Sequence, residues 1–325
     1  MRSSSKWIKV LLAVCVICVF YRFVDLALYP CTYIRNDVHA IMSERVDDIY
    51  LGTSHGKINI NPSAMQEVSG RTGHNMANGG EYPIDAYYLV KLMVEKGTKP
   101  KRVVYVTTGE YFTLQKEEGN NYLLFYHEFP FSRTKLEYFF SCVADCNIRT
   151  VLFPWYEYPL STELGMIKTN LGQKLTGSYD LDILRSDAQE YHEDGYIERY
   201  PVDPSTFKFP SYESFSRENL IEENLEWIRR LIRLCRDEDI EFVSIATPTA
   251  APTLEKYADS YTQAGAFFSD FYQEQGVKYI DFNSEEYYDL FTHKVNAYTD
   301  LDGHMHGDAA RDFSKVLARV LDGED

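Results

Sequence analysis

Positive charge is in short supply in this 325-residue chain: 33 Lys and Arg stand against 49 Asp and Glu, a formal net charge of −16. Non-specific nucleic-acid binding needs clustered Lys and Arg, so no nucleic-acid partner is expected. Cysteine is sparse as well, and six in a chain of this length do not make a disulfide framework. Cys15 and Cys18 fall in an apolar stretch, while Cys142 and Cys146 sit four apart, one face of a helix. No His or Cys motif accompanies that pair as a metal site would require, so it reads as two buried thiols. A third absence concerns the N-terminus. No small-x-small cleavage site follows the apolar run from Val10 to Phe20; the next residues are Tyr21, Arg22, Phe23, Val24 and Asp25.

That run alone has the length of a signal-peptide core. With Lys9 and Arg22 reaching toward the headgroups, residues 7–28 span a bilayer as one helix. Arg2, Lys6 and Lys9 then favour a cytoplasmic stretch at 1–6 and an external body at 29–325. The expectation is a single-pass anchor in the cell membrane. A cleaved signal and a buried helix are the alternatives.

What is present is apolar and aromatic: 45% hydrophobic and 15% aromatic residues can bury a substantial core, which excludes global disorder. The segment Arg45–Gly52 ends as an apolar strand, Gly73–Ala77 is a short second candidate, and Arg102–Val106 reads as a buried strand. Pro83–Glu95 opens on proline and closes at Gly97, the marks of a helix. Leu220, Ile221, Leu225, Ile228, Leu231, Ile232 and Cys235 form a helical stripe over Glu218–Arg236. Ile240–Ala246 is a strand, Thr253–Gln275 a helix and Val277–Phe282 a strand. The last helix buries Phe313, Val316, Leu317, Val320 and Leu321. Strands alternating with helices predict an α/β fold, a parallel sheet covered on both faces. Between about 111 and 217 the alternation breaks into an insertion rich in Tyr and Phe, densest from Tyr122 to Tyr158 and holding Trp155. Its aromatics either pack onto the sheet or offer platforms for sugar rings or a headgroup layer.

Two segments carry chemistry. Tyr50-Leu51-Gly52-Thr53-Ser54-His55-Gly56 leaves the first strand, and Asp300-Leu301-Asp302-Gly303-His304-Met305 precedes the last helix. In parallel sheets ligands bind outside the carboxyl ends of the strands, where Ser54 falls. A serine hydroxyl becomes a useful nucleophile only beside a base that a third group orients, and such triads are defined by geometry, not by chain order. Ser54, His304 and one of Asp300 and Asp302 are therefore candidates. The alternation Asp300, Asp302, His304, His306 also permits a divalent ion if the segment is extended, since residues two apart share a face. His55 is either a supporting donor or structural.

The Gly-x-Ser turn after the first strand and the Asp-His before the last helix resemble the SGNH (GDSL-like) hydrolases. The Gly52-Thr53-Ser54-His55 form is most similar to a membrane-anchored branch that includes the D-alanyl transfer protein of teichoic acid synthesis and the alginate acetyltransfer proteins. The resemblance covers roughly residues 46–110 and 218–321 and not the insertion. It implies a three-layer, flavodoxin-like parallel sheet, Ser54 as nucleophile and His304 as base, with no cofactor. The family's acid stands three residues before the His, where this chain has Leu301; Asp302 is favoured because Gly303 eases a tight turn, and Asp300 stays open. For the oxyanion the resemblance implies the Ser54 amide and the Asn78-Gly79-Gly80 turn. The family's Asn after the third strand is replaced by Thr107-Thr108-Gly109-Glu110, so that donor is missing or comes from Asn78. The implied activity is a serine esterase or O-acyltransferase acting on an acylated glycan or envelope polymer. The alternatives are a catalytically silent subunit that holds a glycan and recruits a polytopic membrane O-acyltransferase, and a metal-dependent hydrolase.

Overall fold

The computed structural model describes residues 2–30, 32–116, 123–144, 148–157, 163–176, 185–210 and 215–323. Tyr122, Cys146 and Tyr158, singled out above, lie outside them. Among the described residues two units separate: Tyr33–Tyr138 with Leu181–Asp325, and Met1–Thr32 with Phe139–Asp180. The aromatic insertion is divided between them.

The larger unit is built on strands with no solvent face. β1 (Asp48–Gly52) and β3 (Arg102–Val106) are buried along their whole length, as expected of strands covered on both sides. With β2 (Gly73–Asn75), β6 (Glu241–Ala246) and β7 (Lys278–Asp281) they form a parallel sheet in the order β2-β1-β3-β6-β7. The missing numbers, β4 (Gln189–Tyr191) and β5 (Ile197–Arg199), make a separate antiparallel hairpin in the insertion. Without the hairpin the order is that of a doubly wound, flavodoxin-like sheet, consistent with SGNH-like folds.

In chain order the principal helices are α1 (Arg2–Leu28), α2 (Tyr33–Ser43), α3 (Ser54–Asn59), α4 (Pro62–Ser69), α5 (Pro83–Lys96), α6 (Leu164–Thr176), α7 (Glu222–Asp237), α8 (Ala258–Glu274) and α9 (Gly307–Asp322). Alternate strand residues face opposite layers. Val104, Val106, Val243 and Ile245 join Phe313 and Leu317 of α9 in one core. Tyr105 and Phe242 stack on each other, and Phe242 meets Tyr272 of α8. Each such buried side chain contributes about 1.5–3 kcal/mol.

Local signals decide the helix ends. α5 starts on Pro83, with Asp85 Oδ2 accepting from Tyr82 N at 2.8 Å, and stops at the left-handed Gly97. α7 begins four residues later than the stripe suggests, because Arg217–Asn219 is a separate 3₁₀ turn and Ile221 N donates to Phe112 O. The helix expected over Thr253–Gln275 is two, Ala251–Lys256 and α8, broken at Tyr257. On α9, Phe313, Leu317 and Leu321 are buried, whereas Val316 and Val320 only flank the core. Much of the insertion's aromatic content in this unit is core: Phe125, Tyr126, Phe129 and Tyr138 are buried, and Tyr138 stacks on Tyr88 at 4.4 Å.

In the smaller unit, Lys6–Leu28 of α1 is 23 residues long and holds an 18-residue window of mean hydropathy 2.3, of which 6% is buried. At 1.5 Å per residue the whole segment is about 34 Å long, enough for a hydrocarbon core of about 30 Å. That length and composition suit a signal anchor and a signal sequence alike. α6 closes its carboxyl end: Asn170 Nδ2 donates to Ala27 O at 3.1 Å, and Lys174 Nζ to the carbonyls of Leu26 and Tyr29. A lysine there satisfies orphan carbonyls and the negative end of the helix dipole. Cys142 sits in a π-helical turn, Phe139–Val143.

Both ends of β1 are held. At its start Asp48 takes Arg71 and Arg102 as ion-pair partners. At its end Gly52 has φ +119°, and a β-carbon there would sit 2.5 Å from Val106 O on β3. Replacement by alanine adds left-handed strain to a backbone clash. Gly52→Ala is therefore expected to destabilise the protein by about 2–4 kcal/mol, read as a lowered denaturation midpoint; an unchanged midpoint would refute the close approach.

Candidate active site

Ser54 is the first residue of α3, delivered by the Gly52-Thr53 turn to the carboxyl edge of the sheet. Thr53, not Ser54, occupies the cap position, and neither needs its side chain for capping. The Ser54 hydroxyl is thus available, and its Oγ lies 2.8 Å from His304 Nε2. His304 Nδ1 lies 2.8 Å from Asp300 Oδ2. A carboxylate only accepts, so Nδ1 carries the proton and Nε2 is left to accept from the serine.

The carboxylate that meets the imidazole is that of Asp300, which the slight preference for Asp302 did not expect. That preference assumed a turn at Gly303 that brings the nearer acid to the ring, or an extended segment offering both. The loop instead closes on itself. Tyr298 and Met305 pair, Thr299 N donates to His304 O at 2.7 Å, and Gly303 takes φ +108°. Asp300 Oδ1 gathers the N–H groups of Asp302, Gly303 and His304 at 3.0–3.2 Å, which leaves Oδ2 under the imidazole four residues on. Asp302 turns its backbone carbonyl toward His55 Nε2 at 2.7 Å. Leu301, at the position where the resemblance expects the acid, is buried in the core beside α9.

His55 supports the histidine without touching the serine oxygen. Its Nε2 faces a carbonyl and must be the protonated nitrogen, so Nδ1 accepts from Thr53 Oγ1 at 3.3 Å. The ring stacks on His304, centroids 4.8 Å apart and 15° from parallel. The divalent-ion alternation does not converge: His306 caps α9 by accepting from Ala309 N, and Asp300 is committed to His304. Among the described residues His55, Asp302 and His304 come within 4.8 Å of one another, but their ring nitrogens already face Asp302 O, Thr53, Ser54 and Asp300. As it stands, the set is joined into one hydrogen-bonded relay.

Burial, first of all, pushes His304 below the ordinary histidine range; Asp300 opposes this, while His55 and Arg199 add to it. Burial would raise Asp300, but the hydrogen bond and charge of His304 and the Arg199 guanidinium outweigh it and hold the carboxyl well below the usual range.

The oxyanion candidates divide. Asn78 N donates to Gly52 O at 2.8 Å and Gly80 N to Tyr111 Oη at 2.9 Å, so both amides are committed to the fold. The Asn78 side chain donates to Gly79 O and accepts from Tyr33 Oη. Among the described residues Ser54 N and Gly79 N have no such bond, and a β-carbon on Gly79 would lie 3.6 Å from Ser54 Cβ. At the position of the expected Asn, Thr107 bonds Ser244 and Tyr272, and Thr108 bonds Thr53 at 2.9 Å. A cavity of about 90 Å³ opens beside His55 along the ends of β3, β6 and β7, walled by Thr108, Ala246, Phe268 and Asp281.

Sequence reasoning missed three supports. Asn59 ends α3 and holds the histidine loop from both sides, donating to Gly303 O at 2.8 Å and accepting from Met305 N at 2.8 Å. Arg199 arrives from the insertion and reaches Asp300 Oδ2 at 2.8 Å. Glu81 is wholly buried, with Oε1 accepting from Gly52 N at 2.9 Å and Oε2 unpartnered among the described residues. Only Glu81 had a local signal, an acid directly after the Asn-Gly-Gly turn; the other two are tertiary pairings.

Burial raises the Glu81 carboxyl well above its ordinary 4.5. A folded value above the unfolded one means that its stability contribution is complete below about pH 4.5 and is lost as pH rises toward the folded value. Glu81→Gln is expected to remove that slope, gaining on the wild type by up to about 1.4 kcal/mol per pH unit above that point. Denaturation midpoints at pH 4, 6 and 8 check it; a pH-independent difference would mean that the carboxyl is already ionised in the fold. No family model matches this chain and no curated protein is similar to it, so the functional reading rests on the geometry of Ser54, His304 and Asp300.

Proposed function

We propose that the chain is a serine esterase or O-acyltransferase of SGNH-like type, working through an acyl-enzyme on Ser54. The observation that carries this reading is the unbroken relay Ser54 Oγ–His304 Nε2, His304 Nδ1–Asp300 Oδ2, each step 2.8 Å. Ser54 Oγ attacks an ester carbonyl carbon as His304 Nε2 takes the hydroxyl proton. The C–O bond forms, and the carbonyl pair moves to oxygen, which in this reading accepts from the Ser54 and Gly79 amides. Collapse expels the alcohol, which leaves with the proton from His304. Water or an acceptor hydroxyl then reverses the sequence, giving an acid or a new ester and free Ser54.

The substrate in this reading is an acylated glycan or envelope polymer, and α1 is an uncleaved single-pass anchor holding the site outside the cell membrane. The apolar helix and the basic residues before it support that placement. One observation favours a second reading, a silent subunit that binds glycan beside a polytopic membrane O-acyltransferase. Asn78 N and Gly80 N are committed elsewhere, and no Asn follows β3, so the oxyanion would meet two donors only.

A fluorophosphonate probe separates the two. Its phosphorus is attacked by the serine oxygen with loss of fluoride, and the wild type is expected to be labelled where Ser54→Ala is not. Intact protein that stays unlabelled under all conditions supports the silent subunit. Asp300→Asn is expected to slow turnover of a small ester by up to about 10⁴-fold, the cost of the wrong imidazole tautomer. Asp302→Asn should cost at most about tenfold, the scale of a lost supporting contact. Reversed penalties would contradict the geometry. N-terminal sequencing of the mature protein tests the anchor; a start at or after Tyr29 makes α1 a removed signal.

A further inference from the structure

We infer that Arg199 is a positioning residue that, through Asp300, keeps His304 unprotonated at lower pH; the inference rests on the triad reading above. Arg199 ends β5, and its Nη1 donates to Asp300 Oδ2 at 2.8 Å and to Thr299 Oγ1 at 3.2 Å. The same carboxylate oxygen meets His304 Nδ1 at 2.8 Å. One oxygen thus serves two donors, one permanently charged and one that titrates. The guanidinium offsets the carboxylate's charge, so protonating the imidazole gains less from Asp300 than it would alone. The groups facing His304 are Asp300 and Asp302 from its own loop, His55 from α3, the Ser54 hydroxyl and Arg199 from β5. Of these Arg199 alone carries a fixed positive charge.

The hairpin that brings Arg199 is anchored without it. Tyr191 Oη on β4 donates to Asp37 at 2.6 Å, Asp194 O at the turn accepts from Asn75 N at 2.8 Å, and Asp194 Oδ2 accepts from Ser63 Oγ at 2.6 Å. The guanidinium is therefore not needed to dock the hairpin. What its removal changes is the charge balance at Asp300.

The test uses full-length protein in detergent and two readouts: fluorophosphonate labelling rate against pH, and the His304 ring titration by NMR, which needs no catalysis. Arg199→Gln is expected to raise the midpoint of both by about half to one pH unit, the scale of a partly exposed charge at this distance. Labelling well below the wild-type midpoint should then slow about 3–10-fold, with little change on the plateau. Arg199→Lys should return the midpoint close to wild type, because it restores charge without the guanidinium's shape. Arg199→Met serves as a second neutral variant should the glutamine protein fail to fold. Unmoved midpoints in the neutral variants, whatever their stability, would overturn the inference and leave the triad standing. An unlabelled wild type whose His304 titration still shifts in Arg199→Gln would sink the proposed catalysis and leave the electrostatic coupling in place.

Discussion

The site depends on one buried side chain, the amide of Asn59. It stands at the end of the short helix that begins with Ser54 and grips the histidine loop at Gly303 O and Met305 N, about 245 positions along the chain. An amide that both donates and accepts satisfies two buried backbone groups at once, and losing it would leave both unpaired at about 1–3 kcal/mol each. Ser54 and His304 belong to distant segments, so a fixed separation between them needs a tie of this kind. His55 supplies a second tie through Asp302 O and by stacking on the imidazole. The helix that begins with Ser54 therefore sets His304 in place.

Behind α3 a second polar cluster joins the first strands to the insertion. Lys57 is buried, donating to Asp37 Oδ2 at 2.7 Å and Asn75 O at 2.9 Å, and Asp37 also takes His74 and Tyr191. A buried ion pair of this sort is weak evidence of net stability, but removing one partner strands a charge. Its geometric effect is plain. Asp37 on α2, Lys57 on α3, His74 on β2 and Tyr191 on β4 meet at one point, and the other arm of the same hairpin carries Arg199 to Asp300. The insertion thus reaches the candidate site through this hairpin.

The donors left uncommitted shape the proposed chemistry as much as the relay does. Of the three consecutive amides at Asn78-Gly79-Gly80, the outer two hold the turn against Gly52 and Tyr111, and the middle one lies beside Ser54. A tetrahedral oxyanion would rest on two backbone amides, in contrast to the added Asn donor that the resemblance implies. Fewer donors mean less preorganised stabilisation of developing charge.

Much of this was written in local pattern. Apolar runs bounded by turn residues located β1, β3, β6 and β7, the stripe from Leu225 to Cys235 located α7, and the alternation of strand with helix named a parallel sheet. All of these are short-range consequences of which side chains must leave water. The serine turn and the final Asp-His were legible for the same reason, since each is a contiguous motif on a strand end or a helix start. The choice between Asp300 and Asp302 was not, because it turns on a loop that Tyr298 and Met305 pinch shut and Asp300 itself laces together. Nor were Asn59 and Arg199, whose partners lie 244 and 101 positions away. An amide or a guanidinium carries no periodicity that names its partner; only the folded chain, by bringing α3, β5 and the loop before α9 together, decides what each can reach.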